Sequence, residues 1–347
     1  MSNFRTILVA TAVAAVSLGF ANSALAKDKQ IGFVLAGPDV FYATEAELFT
    51  RLATAAGEHV TVANSEYTPS KELANVEDFI ARKVDAIVLL TSKAEAGTQA
   101  AKRAKEAGIP IFFVSALPSP AGYDIPTGIV SGDWISMGQT IGAYIGKHQP
   151  GQGVALLEGV YGQGTTELIH EGFLEGVKSV SGGNKVVMNA SGNWSRQGGL
   201  KVMQDFLAAN KDFKVVYAMN EEMMAGAIEA LTEAGKLGQY TLYSSNGKEI
   251  GWKWMKDGIM TATVANPPTL EGDMIFQMVE AYFDGKPFPR HVYNVQPLLT
   301  KDNVDSAVPW NVDNYLAKKK DGSLVVDLFA QKPVKAMAKW TPISNSD

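Results

Sequence analysis

Side chains that make directed hydrogen bonds recur in this sequence directly after short runs of β-forming residues. Carboxylates offer fixed acceptors, asparagine amides both donate and accept, and aromatic rings offer flat apolar faces. Sugars carry hydroxyl groups on their edges and C–H groups on their faces, so this mixture suits them. The candidate residues of this kind are Asp39, Phe41, Tyr42, Ser92, Asp133, Trp134, Trp194, Asn220, Asn246 and Asn266.

A purely structural interpretation exists for each of these residues taken alone. Asp, Asn and Ser immediately before a helix are commonly N-caps, each contributing about 1 kcal/mol to helix stability. For Asp39, Asp133 or Asn220 in isolation, capping is the better interpretation. The recurrence of such residues after so many predicted strands is what favours a binding site.

Motifs for catalysis are not found. The four histidines have no metal-ligand spacing and the chain has no cysteine, so we expect neither a metal nor another cofactor. The glycine-rich stretch 159–164 lacks the spacing of a phosphate-binding loop. Asp133 and Glu167 could form an acid/base pair for glycoside hydrolysis, but their different loops make a periplasmic hydrolase a remote alternative.

The elements that must position these residues alternate regularly along the chain. Continuous apolar runs such as 31–35 and 86–90 are typical of strands buried on both faces, and helical patterns follow them. This alternation predicts doubly wound parallel sheets, in which ligands bind beyond the carboxyl ends of the strands. The series restarts after residues 148–151, which indicates two α/β lobes.

The N-terminus predicts export. A positive start at Arg5, an apolar stretch over 7–18 and Ala24-Leu25-Ala26 form a secretory signal peptide, residues 1–26, cleaved after Ala26. We expect the mature protein in the periplasm. The formal net charge of −5 shows no basic excess, so we expect no nucleic-acid partner.

Three segments carry a family resemblance. They are Ser131-Gly132-Asp133, Ala218-Met219-Asn220-Glu221-Glu222-Met223 and Thr261-Ala262-Thr263-Val264-Ala265. The chain resembles the ribose/galactose type of periplasmic sugar-binding protein, a type I periplasmic binding protein. The resemblance implies two lobes joined by a hinge that close over a ligand. It also implies that Asp133 holds sugar hydroxyls, Trp194 covers the sugar, and Asn220, Asn246 and Asn266 supply polar contacts.

Domain boundaries follow from the same reasoning. We predict a first lobe of residues 28–147 plus 267–297 and a second lobe of residues 148–266 plus 298–347. The last of these ranges includes a polar tail that we expect to wrap the second lobe.

The chain departs from this family where relatives often place arginine. Trp134 follows Asp133, and Glu167 lies in the stretch after the glycine-rich loop. Together with Asp39, these residues predict an unusually acidic and aromatic cleft, with Glu167 as a further candidate binding residue. Arg196 is a candidate for the missing positive charge. The residues suit a pentose other than ribose, a deoxy or small cyclic sugar, a polyol, or a cation held by aromatic faces.

The expected function is therefore capture, not catalysis. A small sugar or polyol-like ligand would bind between the lobes, and the closed protein would deliver it to the membrane permease of an ABC importer. The alternative is a sensing receptor that docks on a chemoreceptor or sensor kinase. The resemblance implies a monomer.

Overall fold

A computed structural model describes residues 28–328 of the 347-residue chain. The predicted signal peptide and the last part of the predicted tail, residues 329–347, lie outside the described residues. Within residues 28–328, no helix combines the length and apolar character needed to cross a membrane.

Strands and helices alternate through most of the chain, as the sequence pattern predicts. The chain begins with β1 (Gln30–Leu35), α1 (Val40–Ala55), β2 (His59–Asn64), α2 (Pro69–Ala81), β3 (Ala86–Leu89), α3 (Ala94–Glu106), β4 (Ile111–Val114) and β5 (Gly128–Ser131). It continues with α4 (Trp134–His148), β6 (Gly153–Glu158), α5 (Thr165–Lys178), β7 (Lys185–Ser191), α6 (Arg196–Ala209), β8 (Val215–Ala218), α7 (Glu221–Glu233), β9 (Thr241–Asn246), α8 (Glu249–Lys256) and β10 (Ala262–Ala265). The described chain closes with α9 (Pro268–Phe283), β11 (His291–Tyr293), β12 (Leu298–Thr300) and α10 (Val312–Lys320).

The strands form two six-stranded sheets. The first has the order β11-β5-β4-β3-β1-β2, and the second has the order β12-β10-β9-β8-β6-β7. All neighbouring strands are parallel except β12, which runs antiparallel to β10. Strands β3, β4, β8 and β10 are buried along their whole length, as expected for sheets covered by helices on both faces. The predicted fold class, two doubly wound α/β lobes, is confirmed.

Helix α4 packs on the second sheet's side of the molecule, although residues 28–147 were predicted to form part of the first lobe. A Cβ atom added to Gly138 of α4 would lie 2.2 Å from the carbonyl oxygen of Ile169 on α5. Glycine is needed where two helix backbones approach so closely. The chain therefore leaves the first sheet at residues 132–133, directly after β5.

The C-terminal part of the described chain also differs from the predicted assignment. Strand β12 belongs to the second sheet, but α10 lies on the first lobe, against α1 and α9. Asp273 of α9 is fully buried, and a buried carboxylate requires hydrogen-bonding or charged partners. Tyr315 Oη donates to it at 2.8 Å and Lys319 Nζ at 2.6 Å, which explains why this segment does not wrap the second lobe.

The first lobe comprises the sheet that contains β1, together with α1–α3, α9 and α10. The second lobe comprises the sheet that contains β6, together with α4–α8. The chain passes between them at residues 132–133, 266–267 and 294–297. Because the first two of these passages directly follow the carboxyl ends of β5 and β10, they bring the strand ends of both sheets to one cleft.

Candidate ligand-binding site

A cavity lies in the cleft, where the strand ends of the two lobes face each other. Its wall combines aromatic rings with amide, hydroxyl and carboxyl groups. The lining residues are Asp39, Phe41, Tyr42, Leu90, Ser115, Ala116, Trp134, Gln163, Thr165, Ile169, Trp194, Asn220, Asn246 and Asn266. A concave wall in which apolar and aromatic faces surround convergent polar groups is typical of a small-molecule site.

The first-lobe wall is built on the β1–α1 turn. Asp39 is the N-cap of α1, since its Oδ1 accepts a hydrogen bond from the backbone N–H of Phe41 at 2.7 Å. Burial raises the pKa of Asp39 to about 6, with a further contribution from Glu222. The rings of Phe41 and Tyr42 meet edge to face, with centroids 6.0 Å apart. Capping therefore fixes the turn while Asp39 still lines the cavity.

The second-lobe wall is held by a chain of hydrogen bonds. Asn220 caps α7 through Met223 N–H at 2.8 Å, and its Nδ2 donates to the carbonyl of Trp194 at 2.9 Å. Trp194 sits in left-handed backbone conformation, with φ of 59°, and its Nε1 donates to Gln163 Oε1 at 3.0 Å. The side chain of Asn220 thus holds the backbone of Trp194, and the side chain of Gln163 holds its indole ring at the cavity.

Two buried donors at the cavity have no hydrogen-bond partner within the described chain, Trp134 Nε1 and Asn266 Nδ2. The Oδ1 of Asn266 is already engaged, because it accepts from Asn294 Nδ2 at 2.6 Å and Gln296 Nε2 at 2.8 Å. Glu271 is a weak neighbour of this amide, since the contact lowers the pKa of that carboxyl without reaching the geometry of a hydrogen bond. Buried donors without partners cost free energy, so these N–H groups are suited to a ligand that brings acceptors.

Gln163 joins the two lobes across the cavity. Its Nε2 donates to Tyr42 Oη and to the carbonyl of Thr91, each at 3.3 Å, while its Oε1 accepts from Trp194. The loop that carries Gln163 is fixed by Glu167, whose two carboxylate oxygens accept from the N–H groups of Gly162 at 2.5 Å and Gly164 at 3.1 Å. Closing the cleft thus assembles one connected polar network.

A buried carboxyl pair lies behind the first-lobe wall. Glu45 of α1 and Glu271 of α9 are both fully buried, and both bond to the hydroxyl of Ser115, a cavity residue. Burial raises the pKa of Glu271 to about 7 and that of Glu45 well above its usual value, and the proximity of Glu271 raises the latter further. Glu271 also accepts from Asn294 at 2.8 Å, which connects this pair to Asn266.

Three predicted binding residues do not line the cavity. Asp133 is the N-cap of α4, accepting from Ser136 N–H at 3.1 Å, and its ligand contact stays a prediction. Ser92 is buried and its backbone N–H donates to Glu72 at 2.5 Å. Glu167 bonds to the backbone of its own loop. Among the described residues, Asp39 is then the one acidic residue that lines the cavity.

Arg196 does not supply the positive charge that the cleft lacks. It is exposed and forms an ion pair with Glu229 at 2.7 Å. No lysine, arginine or histidine lines the cavity in the described part of the chain, and no cluster of metal-ligating side chains occurs between residues 28 and 328.

Six lining residues were not identified from the sequence. They are Leu90, Ser115, Ala116, Gln163, Thr165 and Ile169. The first three follow or end β3 and β4, so the rule that ligands bind beyond strand ends could have found them. The other three belong to the β6–α5 loop and helix, where Glu167 was the residue predicted from the sequence.

Comparison with known proteins identifies relatives along nearly the whole described chain. The profile of the family described as periplasmic binding protein domain matches residues 31–287. The ribose import binding protein of Salmonella typhimurium is 30% identical over 286 residues, covering 82% of this chain and 94% of that protein. The galactofuranose-binding protein of Escherichia coli is 29% identical over 317 residues, covering 89% of this chain and 97% of that protein.

Solved structures show the same architecture. The crystal structure of a galactofuranose binding protein superposes with a TM-score of 0.73 at 27% identity, covering 84% of this chain and 99% of that one. A Mycobacterium smegmatis protein in complex with β-D-fucofuranose superposes with a TM-score of 0.76 at 23% identity, covering 83% and 96%. The second likeness concerns the fold alone.

Proposed function

The chain belongs to the periplasmic binding protein family, and from that premise we propose that it captures an uncharged sugar or polyol between its lobes for an ABC importer. The family consists of periplasmic binding proteins and not of enzymes, which leaves no support for the hydrolase alternative. The observation that carries the proposal is the cleft cavity, where Trp134 Nε1 and Asn266 Nδ2 lack partners within the described chain and Asp39 contributes a carboxyl group.

The charge of the cavity favours an uncharged ligand. An acidic sugar would be buried without a cationic partner, which costs several kcal/mol, because none of the lining residues is basic. A quaternary ammonium group would fit the aromatic faces, but the cationic group itself offers no acceptor to the two unpartnered N–H groups, unlike the several hydroxyl groups of a sugar. A hydroxyl group both donates to Asp39 and accepts from Trp134 or Asn266.

The named ligands of the relatives agree with this chemistry. Among the relatives are binding proteins for ribose, galactofuranose and fructose, and a xylitol-binding protein of Mycolicibacterium smegmatis that is 28% identical over 69% of this chain. All four ligands are uncharged compounds with many hydroxyl groups.

Direct contacts between the lobes support delivery in a closed form. Ala94 N–H of α3 donates to the carbonyl of Gly162 at 3.0 Å, and Lys93 Nζ donates to the carbonyl of Tyr161. Both bonds join the first lobe to the β6–α5 loop, next to Gln163. A ligand that contacts both walls would favour this closed arrangement, which a permease can then distinguish from the open one.

Thermal-shift and calorimetric titration against ribose, xylitol, fructose, galactose, myo-inositol, glucuronate and choline tests the ligand class. A compound present at a hundred times its Kd should stabilise the protein by about 2.7 kcal/mol. We expect uncharged compounds alone to do so. Stabilisation by glucuronate or choline, with none by the others, would contradict the proposal.

A matched pair of variants tests the position of the site. Trp134→Phe removes the unpartnered N–H and keeps an aromatic ring, so we expect the Kd of a bound compound to rise about tenfold. Trp254→Phe, outside the cavity, should leave the Kd unchanged.

Uptake of the same labelled compound should disappear when the gene is deleted. Retained uptake combined with lost chemotaxis would instead favour the sensing alternative.

A further inference from the structure

The segment after β12 makes a further passage between the lobes, in addition to those at residues 132–133, 266–267 and 294–297. We name residues 301–328 the C-terminal strap. At its start, Asp305 forms an ion pair with Lys256 of α8, on the second lobe, at 2.6 Å. At its end, Gln277 of α9, on the first lobe, donates to the carbonyl of Val326 at 3.1 Å and accepts from the N–H of Leu328 at 3.2 Å. The strap is therefore attached to both lobes.

Two adjacent residues at the middle of the strap are attached to opposite lobes. The carbonyl of Pro309 accepts from Thr269 Oγ1 of α9, on the first lobe, at 2.8 Å. The backbone N–H of Trp310 donates to Glu249 Oε1 of α8, on the second lobe, at 2.8 Å. Its indole Nε1 donates to the carbonyl of Asn246 at 3.1 Å. Because one peptide unit separates the two sets of bonds, we expect lobe opening to break one of them.

The indole of Trp310 also supports a wall of the cavity. It is 5% exposed and meets the ring of Phe41 edge to face, with centroids 5.4 Å apart. Phe41 and Asn246 both line the cavity, on opposite lobes. Trp310 itself does not line it. Lys248 adds a cation 5.8 Å from the indole centroid, so the second lobe holds this residue by three separate contacts.

From these contacts we infer that Trp310 is a positioning residue that couples the C-terminal strap to ligand capture. In the closed form Trp310 fixes Phe41 against the bound molecule. Trp310 also links Phe41 to Asn246 on the other lobe. When the lobes open, the bonds of Trp310 to Asn246 and Glu249 break, and Phe41 is no longer linked to the second lobe. The inference rests on the proposed capture of a ligand in the cleft, but the conformational part can be measured without any ligand.

Distance measurement between two spin labels tests the conformational part. The chain has no cysteine, so labels at Ser70→Cys on α2 and Gln197→Cys on α6, both exposed, report only the distance across the cleft. Without ligand, we expect Trp310→Ala and Glu249→Ala to shift the distribution toward longer separations. Glu249→Gln keeps the acceptor and should restore the native distribution. Asp313→Asn, which breaks only an exposed ion pair with Arg51, is the control.

Dissociation kinetics test the coupling to capture. The probe is ribose or xylitol, whichever stabilises the native protein in thermal-shift titration. Trp310→Ala should release it about tenfold faster, because one aromatic pair and one hydrogen bond are lost. Trp310→Phe should release the probe at a rate between those of the native protein and Trp310→Ala.

Unchanged distance distributions in both Trp310→Ala and Glu249→Ala would overturn the inference, as would unchanged dissociation of the probe. If Trp310→Ala does not fold, the pair Glu249→Ala and Glu249→Gln decides the question. If ribose and xylitol do not bind, another uncharged compound that stabilises the native protein becomes the probe; if none does, the proposed function fails while the ligand-free distances still decide the role of the strap. A merely structural role would lower the melting temperature without moving those distances.

Discussion

Glu45 and Glu271 are both bonded to the single hydroxyl group of Ser115, at 2.9 Å in the case of Glu45. One hydroxyl has one proton to donate. The second bond therefore requires a proton on one of the carboxyl groups, which then donates to the Ser115 oxygen. The raised pKa values of both groups agree with this requirement. The pair thus carries a proton beneath the cavity wall near neutral pH.

The shared proton makes stability depend on pH. Unfolding exposes both carboxyl groups, whose pKa then returns to about 4.3, whereas the pKa of Glu271 is about 7 in the folded protein. Between these values the folded state binds more protons, so its stability is greatest at low pH and falls as pH rises through 7. Glu271→Gln should flatten this fall by up to about 1.4 kcal/mol per pH unit. Urea denaturation from pH 5 to 8 measures the free energy of unfolding of both proteins, and so the slope of stability against pH.

The matched control for that experiment is Glu47→Gln. Glu47 lies on the same helix as Glu45, but 57% of its side chain is exposed, so its removal should leave the slope of stability against pH unchanged. Equal slopes for the native protein and Glu271→Gln would show that the carboxyl pair holds no proton above pH 5.

Ligand affinity should depend on pH through Asp39. Its pKa of about 6 means that the carboxylate, which accepts from a ligand hydroxyl, predominates above pH 6. We expect the affinity to be highest at pH 7 to 8 and to weaken up to about tenfold for each pH unit below 6. Asp39→Asn keeps the cap on α1 and should bind with lower, pH-independent affinity. Affinity that increases toward pH 5 would show that the protonated acid is the donor.

Gln163 should contribute to affinity as much as any residue predicted from the sequence. Gln163→Met preserves side-chain size but removes the bonds to Trp194, Tyr42 and Thr91. We expect Kd to rise about tenfold or more, because the Trp194 donor is left without a partner. Gln139→Met, which removes a surface bond to Glu175, is the control, and calorimetry measures both. Equal affinities would mean that the β6–α5 loop does not participate in closure.

The fold and much of the cavity wall could be predicted because they depend on local patterns. Buried apolar strands identify parallel sheets, and parallel sheets bring their carboxyl ends to one edge. Asp39, Trp194 and Asn266 line the cavity for that reason. Asp133 and Trp134 show the limit of the rule. They are consecutive, yet one caps a helix and the other lines the cavity, and only the direction of the chain after β5 decides between them.

Features that depend on contacts distant in sequence could not be predicted. The position of Gln163 depends on the two bonds that Glu167 makes to glycine N–H groups, and no residue pattern indicates them. The lobe on which α10 lies is decided by Asp273, a buried carboxylate that needs Tyr315 and Lys319. Nothing in a polar, lysine-rich segment indicates that partner, and the expected position on the second lobe followed from chain order alone.

Asn266→Asp should reverse the pH dependence of binding. The substitution keeps the oxygen that accepts from Asn294 and Gln296 but replaces the unpartnered Nδ2 donor with a second oxygen. At pH 8 that oxygen is charged, buried, and close to the Glu45–Glu271 pair, so we expect Kd to rise at least tenfold. Burial and the neighbouring carboxyl groups raise the pKa of the introduced group, so lowering the pH protonates it.

The protonated group can again donate to the ligand, so the affinity of this variant should recover toward pH 5. Because Asp39 acts in the opposite direction, the measurement is made in the Asp39→Asn background, in which the parent affinity is expected not to vary with pH. Calorimetric titration at pH 5, 6.5 and 8 then isolates the effect of the substitution. A loss of affinity that is the same at all three values would show that Asn266 acts through its shape, since a donor role requires the recovery at low pH.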